Sequence, residues 1–349
     1  MRALWRWLKR LLIVAAVLIL GLLAPPAYVE LACRGDAQPD SYASLISDPE
    51  WQRPESRTLL TYPEWHIVHA YDDYGRVLAM GDPHDFGYVR AIAGFWGTLC
   101  PLTVAADAMG EITTDTKLTI YTIGVSFTAE LLAKAAYEET LGRIATWLRD
   151  GDRATLDDVS AQIAADYAVF LQQVPWYKWD FAADVEQLEA QATGSFRDRE
   201  RLFALRNEFL AKAWYAKQIE AAVAGLGGDA LRIRSVVKNI SVNDLLTIPG
   251  VTVIGPLGGG TLIETDRYRA FTDIIADLVA NGADFAEIAG NNDILFTVIS
   301  PTPEFDGALY SFPRQGYGDY RHLVLISVAD LASRLRSLDD VTLEHVHDY

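Results

Sequence analysis

The chain has 349 residues, half of them apolar and 22% charged, which suits a folded protein with room for two cores and excludes a disordered or low-complexity chain. The formal net charge is -17, and the body beyond residue 33 is more acidic still: four of the 30 Lys and Arg residues precede it (Arg2, Arg6, Lys9, Arg10), but only one of the 47 acids, Glu30. A surface of that sign repels phosphate backbones, so no nucleic acid is expected as a partner.

Residues 11–29, LLIVAAVLILGLLAPPAYV, carry no charge. As a helix the segment is about 28 Å long, close to the hydrocarbon thickness of a bilayer. Pro25 and Pro26 near its outer end are expected to break the last turn. Because the four bases come before it, the reading is a single-pass protein of the plasma (inner) membrane, with its N-terminus cytoplasmic and the bulk extracytoplasmic. Cleavage as a secretory signal fits poorly, because Pro25 or Glu30 would occupy a position that wants a small neutral residue. Cys33 and Cys100 are the two cysteines. In an oxidising compartment they could pair, stabilising by about 4 kcal/mol through closure of a loop of roughly 67 residues. One buried thiol and one idle one is the equal alternative.

The expected organisation is α+β: residues 1–33 as basic stub and transmembrane anchor, 34–57 as a juxtamembrane linker, 58–228 as a helical domain, and 229–349 as a small α+β sandwich, ferredoxin-like in its order of elements. Pro63 suits the first turn of a helix running to Met80, where Gly81-Asp82-Pro83 stops it. A second helix is expected from Phe86 to Ala108 and a third over 116–148. In the third, Glu130, Lys134 and Glu138 at i,i+4 spacing read as a self-supporting ladder on an exposed face. Further helices are expected over 155–173, 180–192 and 197–224, closed by the glycines of 225–228. Beyond them the period shortens, and Val- and Ile-rich strands are expected at 235–242, 251–254, 284–289, 294–300, 322–328 and 341–347, with helices over 267–281 and 329–338. No internal repeat is evident in the residues.

The strongest chemical candidate lies on the first helix of the body. At 100° per residue, Ile67, Ala70, Tyr71, Tyr74, Val77 and Leu78 share a core face. Tyr62, Trp65, His66, His69, Asp73 and Arg76 form a stripe on the other side. His66, His69 and Asp73 could ligate zinc or act as acid and base; the bland alternative is a stripe packed on a neighbour, with Asp73 paired to Arg76. The aromatic residues Tyr62, Trp65, Trp96, Trp176 and Trp179 could line a ligand pocket, for a lipid among other occupants, though aromatics at helical spacing are ordinarily core. The glycine-rich stretch 255–260 matches neither a P-loop nor a dinucleotide fingerprint and reads as a hairpin tip. His345 and His347 share one side of the last strand, with Glu344 and Asp348 expected on the other, on a solvated edge.

Two functional classes follow. The first is a membrane-anchored extracytoplasmic binding or accessory protein of the cell envelope, with a lipid or an envelope protein as partner. The second is a metal-dependent or acid/base enzyme centred on His66, His69 and Asp73. The absence of a nucleophile elbow, a CxxCH motif or an EF-hand loop favours the first.

Overall fold

The computed structural model describes residues 2–149, 151–223 and 231–348. The glycines of 225–228 that were expected to close the helical part, and with them the domain boundary, lie outside the described residues. The first helix, α1 (Arg2–Ala32), runs unbroken through Pro25 and Pro26, contrary to the break expected there. The helical part continues with α2 (Thr58–Met80), α3 (Tyr88–Asp107), α4 (Thr114–Tyr137), a π turn over Glu138–Gly142, α5 (Arg143–Leu148), α6 (Thr155–Leu171), α7 (Phe181–Gln191) and α8 (Phe196–Val223).

The outer end of α1 is bound to this body. Val29 is buried, and Glu30 accepts a 2.6 Å hydrogen bond from the Tyr121 hydroxyl and pairs with Lys117 at 3.1 Å. A disulfide joins Cys33 to Cys100 in α3. Among the described residues, α3 is long and apolar enough to cross a membrane, but half of it is buried within the protein, as a central core helix also is.

Helix α2 lies at the centre of the helical part. Tyr71, Tyr74, Val77 and Leu78 are buried on one side, where α6 packs, and the opposite stripe is buried as well except at Arg76. The ladder on α4 is not exposed. Lys212 of α8 meets Glu130 at 2.8 Å, Glu208 meets Lys134 at 3.0 Å, and Arg201 meets Glu138 at 2.9 Å. Charges at i,i+4 spacing are served as well by a second helix of complementary charge as by one another, and burial makes the inter-helix pairs the stronger commitment.

The C-terminal part contains β1 (Arg232–Lys238), α9 (Val242–Leu245), β2 (Thr252–Leu257), β3 (Gly260–Asp266), α10 (Arg269–Ala280), β4 (Asp284–Ile288), β5 (Asp293–Ser300), β6 (Ala308–Pro313), β7 (Tyr320–Ser327), α11 (Val328–Arg336) and β8 (Thr342–His347). Strands β3 and β6 were not anticipated, and they turn the expected single sheet into two. Both sheets are four-stranded and antiparallel, in the orders β2-β3-β1-β4 and β6-β7-β5-β8. Each half is therefore three strands, a helix and a strand, paired second-third-first-fourth.

Even the irregularities coincide. Register shifts fall between Val236 and Val237 in one half and between Thr297 and Val298 in the other, and again at Val253/Gly255 and Ala308/Tyr310. This is an internal repeat of architecture, in which Glu287, opposite Val236, corresponds to His345, opposite Thr297. Helices α10 and α11 contribute Phe271, Ile275, Leu278 and Leu331 to one shared core.

The two corresponding positions are covered differently. The Glu287 carboxylate accepts from the Tyr42 hydroxyl (2.8 Å), the Ser44 hydroxyl (3.0 Å), and the backbone N–H groups of Leu45 (2.5 Å) and Ile46 (2.8 Å). Glu55 accepts from the N–H groups of Asn292 and Asp293. The segment 34–57, expected as a linker, is thus strapped to the sheet domain, with short 3-10 turns at Pro49–Trp51 and Glu55–Arg57.

Candidate functional site at the helix–sheet junction

The stripe on α2 faces the sheet β6-β7-β5-β8. Tyr62, Trp65, His66, His69 and Asp73 are all buried, whereas Arg76 is exposed and reaches the Gly316 carbonyl rather than Asp73. Trp65 stacks on His345 with ring centroids 3.4 Å apart, and Tyr62 meets His347 edge-on at 5.5 Å. His345 and His347 are therefore fully buried under α2, not on a solvated edge. Glu344 also points to this side. The register shift in the β5–β8 pairing skips it, and a bulge residue of this kind loses the alternation that a regular strand imposes. Its carboxylate holds Arg321 of β7 in a fork, with two contacts of 2.6 Å to Nε and Nη2. Asp348, buried too, pairs with Arg267.

Burial disfavours the charged form of each of these imidazoles. His66 donates from Nε2 to the Ala91 carbonyl (3.0 Å) and accepts at Nδ1 from the Tyr62 hydroxyl (3.3 Å); burial lowers its pKa to about 4. Burial likewise holds His69 and His345 well below the ordinary imidazole range and brings His347 to about 3. The Thr272 hydroxyl fixes Nδ1 of His345 at 2.8 Å. Nε2 of His69, Nε2 of His345 and both nitrogens of His347 have no hydrogen-bond partner, although Glu344 lies 3.6 Å from the first of these.

The structure does not gather His66, His69 and Asp73 as a ligand set, since both His66 nitrogens are engaged within the protein. Among the described residues, the side chains that bring three potential ligand atoms within 4.8 Å of one another are Asp82, His84 and Asp85. There Arg149 already engages Asp82 at 2.7 Å, which leaves little for a cation such as zinc.

Beside the stripe a cavity of about 280 Å³ opens between α2, α3 and the β6–β7 edge, lined among others by His66, Asp73, Arg90, Tyr310, Phe312 and Arg321. Small residues on α3 make this junction possible. A Cβ on Gly94 would meet His66 Cε1 at 2.8 Å, and one on Gly97 would meet the Tyr310 hydroxyl at 2.6 Å. Asp73 accepts the Gln315 N–H on Oδ2 at 2.9 Å, but its Oδ1 has no hydrogen-bond partner, the nearest cation being Arg314 Nε at 4.0 Å. Burial outweighs the arginines and pushes its pKa up to about 7. Arg321 is fully buried at the cavity wall, and the fork with Glu344 leaves its Nη1 edge outside. Arg90, in the first turn of α3, is exposed and makes no ion pair among the described residues.

The five aromatic candidates do not form one pocket. Tyr62 and Trp65 pack on the histidines. Trp96 is buried core, donating its indole N–H to Thr128 at 2.9 Å, and Trp176 and Trp179 pack far along the chain's fold with Tyr215 and Phe170. None of the five lines the cavity. The stretch 255–260 is the tip joining β2 to β3. Arg90, Arg321, Tyr310 and Gln315 had no local signature; the one hint was a charge beginning the otherwise apolar run of β7. Comparison of the chain with protein-family models, with curated proteins and with solved structures yields no match.

Proposed function

We propose that the protein is a membrane-anchored, extracytoplasmic binding protein that holds a small polar ligand at the junction of its helical and sheet parts. The observation that carries this reading is the cavity itself. It has apolar walls and a few charged groups, among them a buried carboxylate oxygen without a partner, and ligand sites are built in this way at domain junctions. The anchor reading rests on the uncharged residues 11–29 behind four bases and on the exposure of Leu12, Ile13, Val17 and Leu20 along α1. The disulfide accords with an oxidising compartment.

The test uses the full chain in mild detergent. Small molecules released on denaturation are identified by mass spectrometry, for the wild type and for Ala93→Trp, which fills the cavity wall. A compound present with the wild type and lost from the variant supports the reading. A chain that releases none, and that no compound in a broad thermal-shift panel stabilises, sinks it. Orientation is tested by placing a cysteine at the exposed Trp147. Labelling of intact cells by an impermeant maleimide is expected, and labelling only after lysis refutes the topology.

An acid/base enzyme is the second reading, favoured by one specific observation: Asp73, whose carboxyl burial raises to about 7, lines the cavity. Here Asp73→Asn would abolish turnover of the identified ligand while leaving its binding intact.

A further inference from the structure

We infer that the cavity recognises a small zwitterion of the amino-acid class, with its carboxylate on Arg90 and the free edge of Arg321 and its ammonium on Oδ1 of Asp73. This rests on the binding-protein reading above and deepens it by naming the ligand's chemistry.

Charges of both signs line one small space without being paired to each other. On one side are two guanidinium groups. Arg321 is fully buried, and its fork with Glu344 consumes Nε and Nη2 but not Nη1. Arg90 stands at the exposed mouth without an ion pair. On the other side is Asp73, buried, with Oδ2 held by the Gln315 N–H and Oδ1 unpartnered. Arg314 commits Nη2 to Asp72 at 3.3 Å and Nη1 to Asp319 at 3.2 Å; its Nε, also without a hydrogen-bond partner, stands 4.0 Å from Oδ1, an ion-pair distance too long for a hydrogen bond.

A buried polar atom without a partner is costly, and a ligand that supplies the partner recovers that cost as affinity. A simple carboxylate would satisfy the arginines but confront Asp73. A simple amine would satisfy Asp73 but confront the arginines. Only a molecule with both groups satisfies both walls, and each mismatch leaves a desolvated charge facing its like. The space limits the rest of the molecule. A volume of 280 Å³ stands at the small end of ligand sites, which run from about 300 to about 1,000 Å³. Ala70, Ala93 and Phe312 offer apolar contact for a short side chain.

The experiment is isothermal titration of the full chain in mild detergent with the common L-amino acids, and, for the best binder, with its deaminated acid and its decarboxylated amine. For leucine these are 4-methylpentanoate and isopentylamine. The expected result is saturable binding of at least one amino acid, at least about tenfold tighter than either truncated counterpart, or 1.4 kcal/mol. Asp73→Asn is expected to erase the advantage over the acid. Arg90→Gln, at an exposed position that folding does not need, is expected to weaken the amino acid and its deaminated acid alike. Failure of every amino acid to bind at millimolar concentration, or equal binding of the acid and the amino acid, overturns the inference. A different compound that co-purifies and is lost from Ala93→Trp overturns the zwitterion while leaving the binding-protein reading standing. The absence of any ligand by either route overturns both.

Discussion

Asp73→Asn gives the sharpest physical test of the junction, because it separates one buried carboxyl from all the others. In the unfolded chain this group titrates near its ordinary 3.8; folded, burial raises it to about 7. Below pH 4 both states hold the proton, and the group's contribution to stability is fully present. As pH rises from about 4 to about 7 the unfolded carboxyl ionises while the buried one still holds its proton, so that contribution falls steadily and is gone once the pH has passed the folded value of about 7. The gap between the two values corresponds to about 4 kcal/mol. Other raised carboxyls, Glu55 at about 7 among them, act equally in wild type and variant and cancel in the difference. The assay is denaturant unfolding of the full chain in detergent, followed by tryptophan emission, at several values from about pH 4 to about pH 8. The wild type is expected to lose about 4 kcal/mol relative to Asp73→Asn across that window. Parallel curves, within about 0.5 kcal/mol, would show that Asp73 is solvated or paired in the folded state and would refute the reasoning.

The remaining predictions concern what the buried polar groups and the crosslink contribute. His347→Phe removes two nitrogens that have no partner, so stability should hold or rise by about 1 kcal/mol in the same unfolding assay. A loss above about 2 kcal/mol would mean that those nitrogens are satisfied in the folded protein. Arg201→Leu strands the Glu138 carboxylate and should cost about 3–5 kcal/mol, much of it recovered by adding Glu138→Leu; an additive double variant would contradict a direct pair. Replacing Cys33 and Cys100 by serine should cost about 4 kcal/mol from the reopened loop, read as a lower denaturation midpoint with a steeper slope, because the uncrosslinked unfolded chain exposes more surface.

Much of the chain was legible before its fold, for local reasons. Helix α2 was expected from its periodicity, although it begins at Thr58, so that Pro63 lies inside it and not in its first turn, and its second stripe (Tyr62, Trp65, His66, His69 and Asp73) was identified as the place where chemistry concentrates. Those residues do lie together at the junction. What they meet there was not legible. His345 and His347 looked like a solvated edge because nothing in residues 341–347 says that a helix nearly three hundred residues earlier covers them. Glu344 was placed on the wrong side, because alternation along a strand says nothing of a bulge, which the partner strand sets.

The same division runs through the rest of the molecule. By itself the sequence determined the quantities that depend on neighbours within a few residues: the helices and most of the strands, the change of period near residue 230, and the acidic character of the body. Tertiary structure alone decided which charges became buried pairs, as when α8 covered the ladder of α4, and which stayed free, as with Asp73 Oδ1. It also decided the internal repeat, since two halves can share strand order and bulges while their side chains diverge to suit different covers, a peptide strap on Glu287 and a helix on His345. The physical reason is common to both. Periodicity reports that a face is to be buried, whereas pairing, desolvation and the resulting pKa depend on which distant surface does the burying.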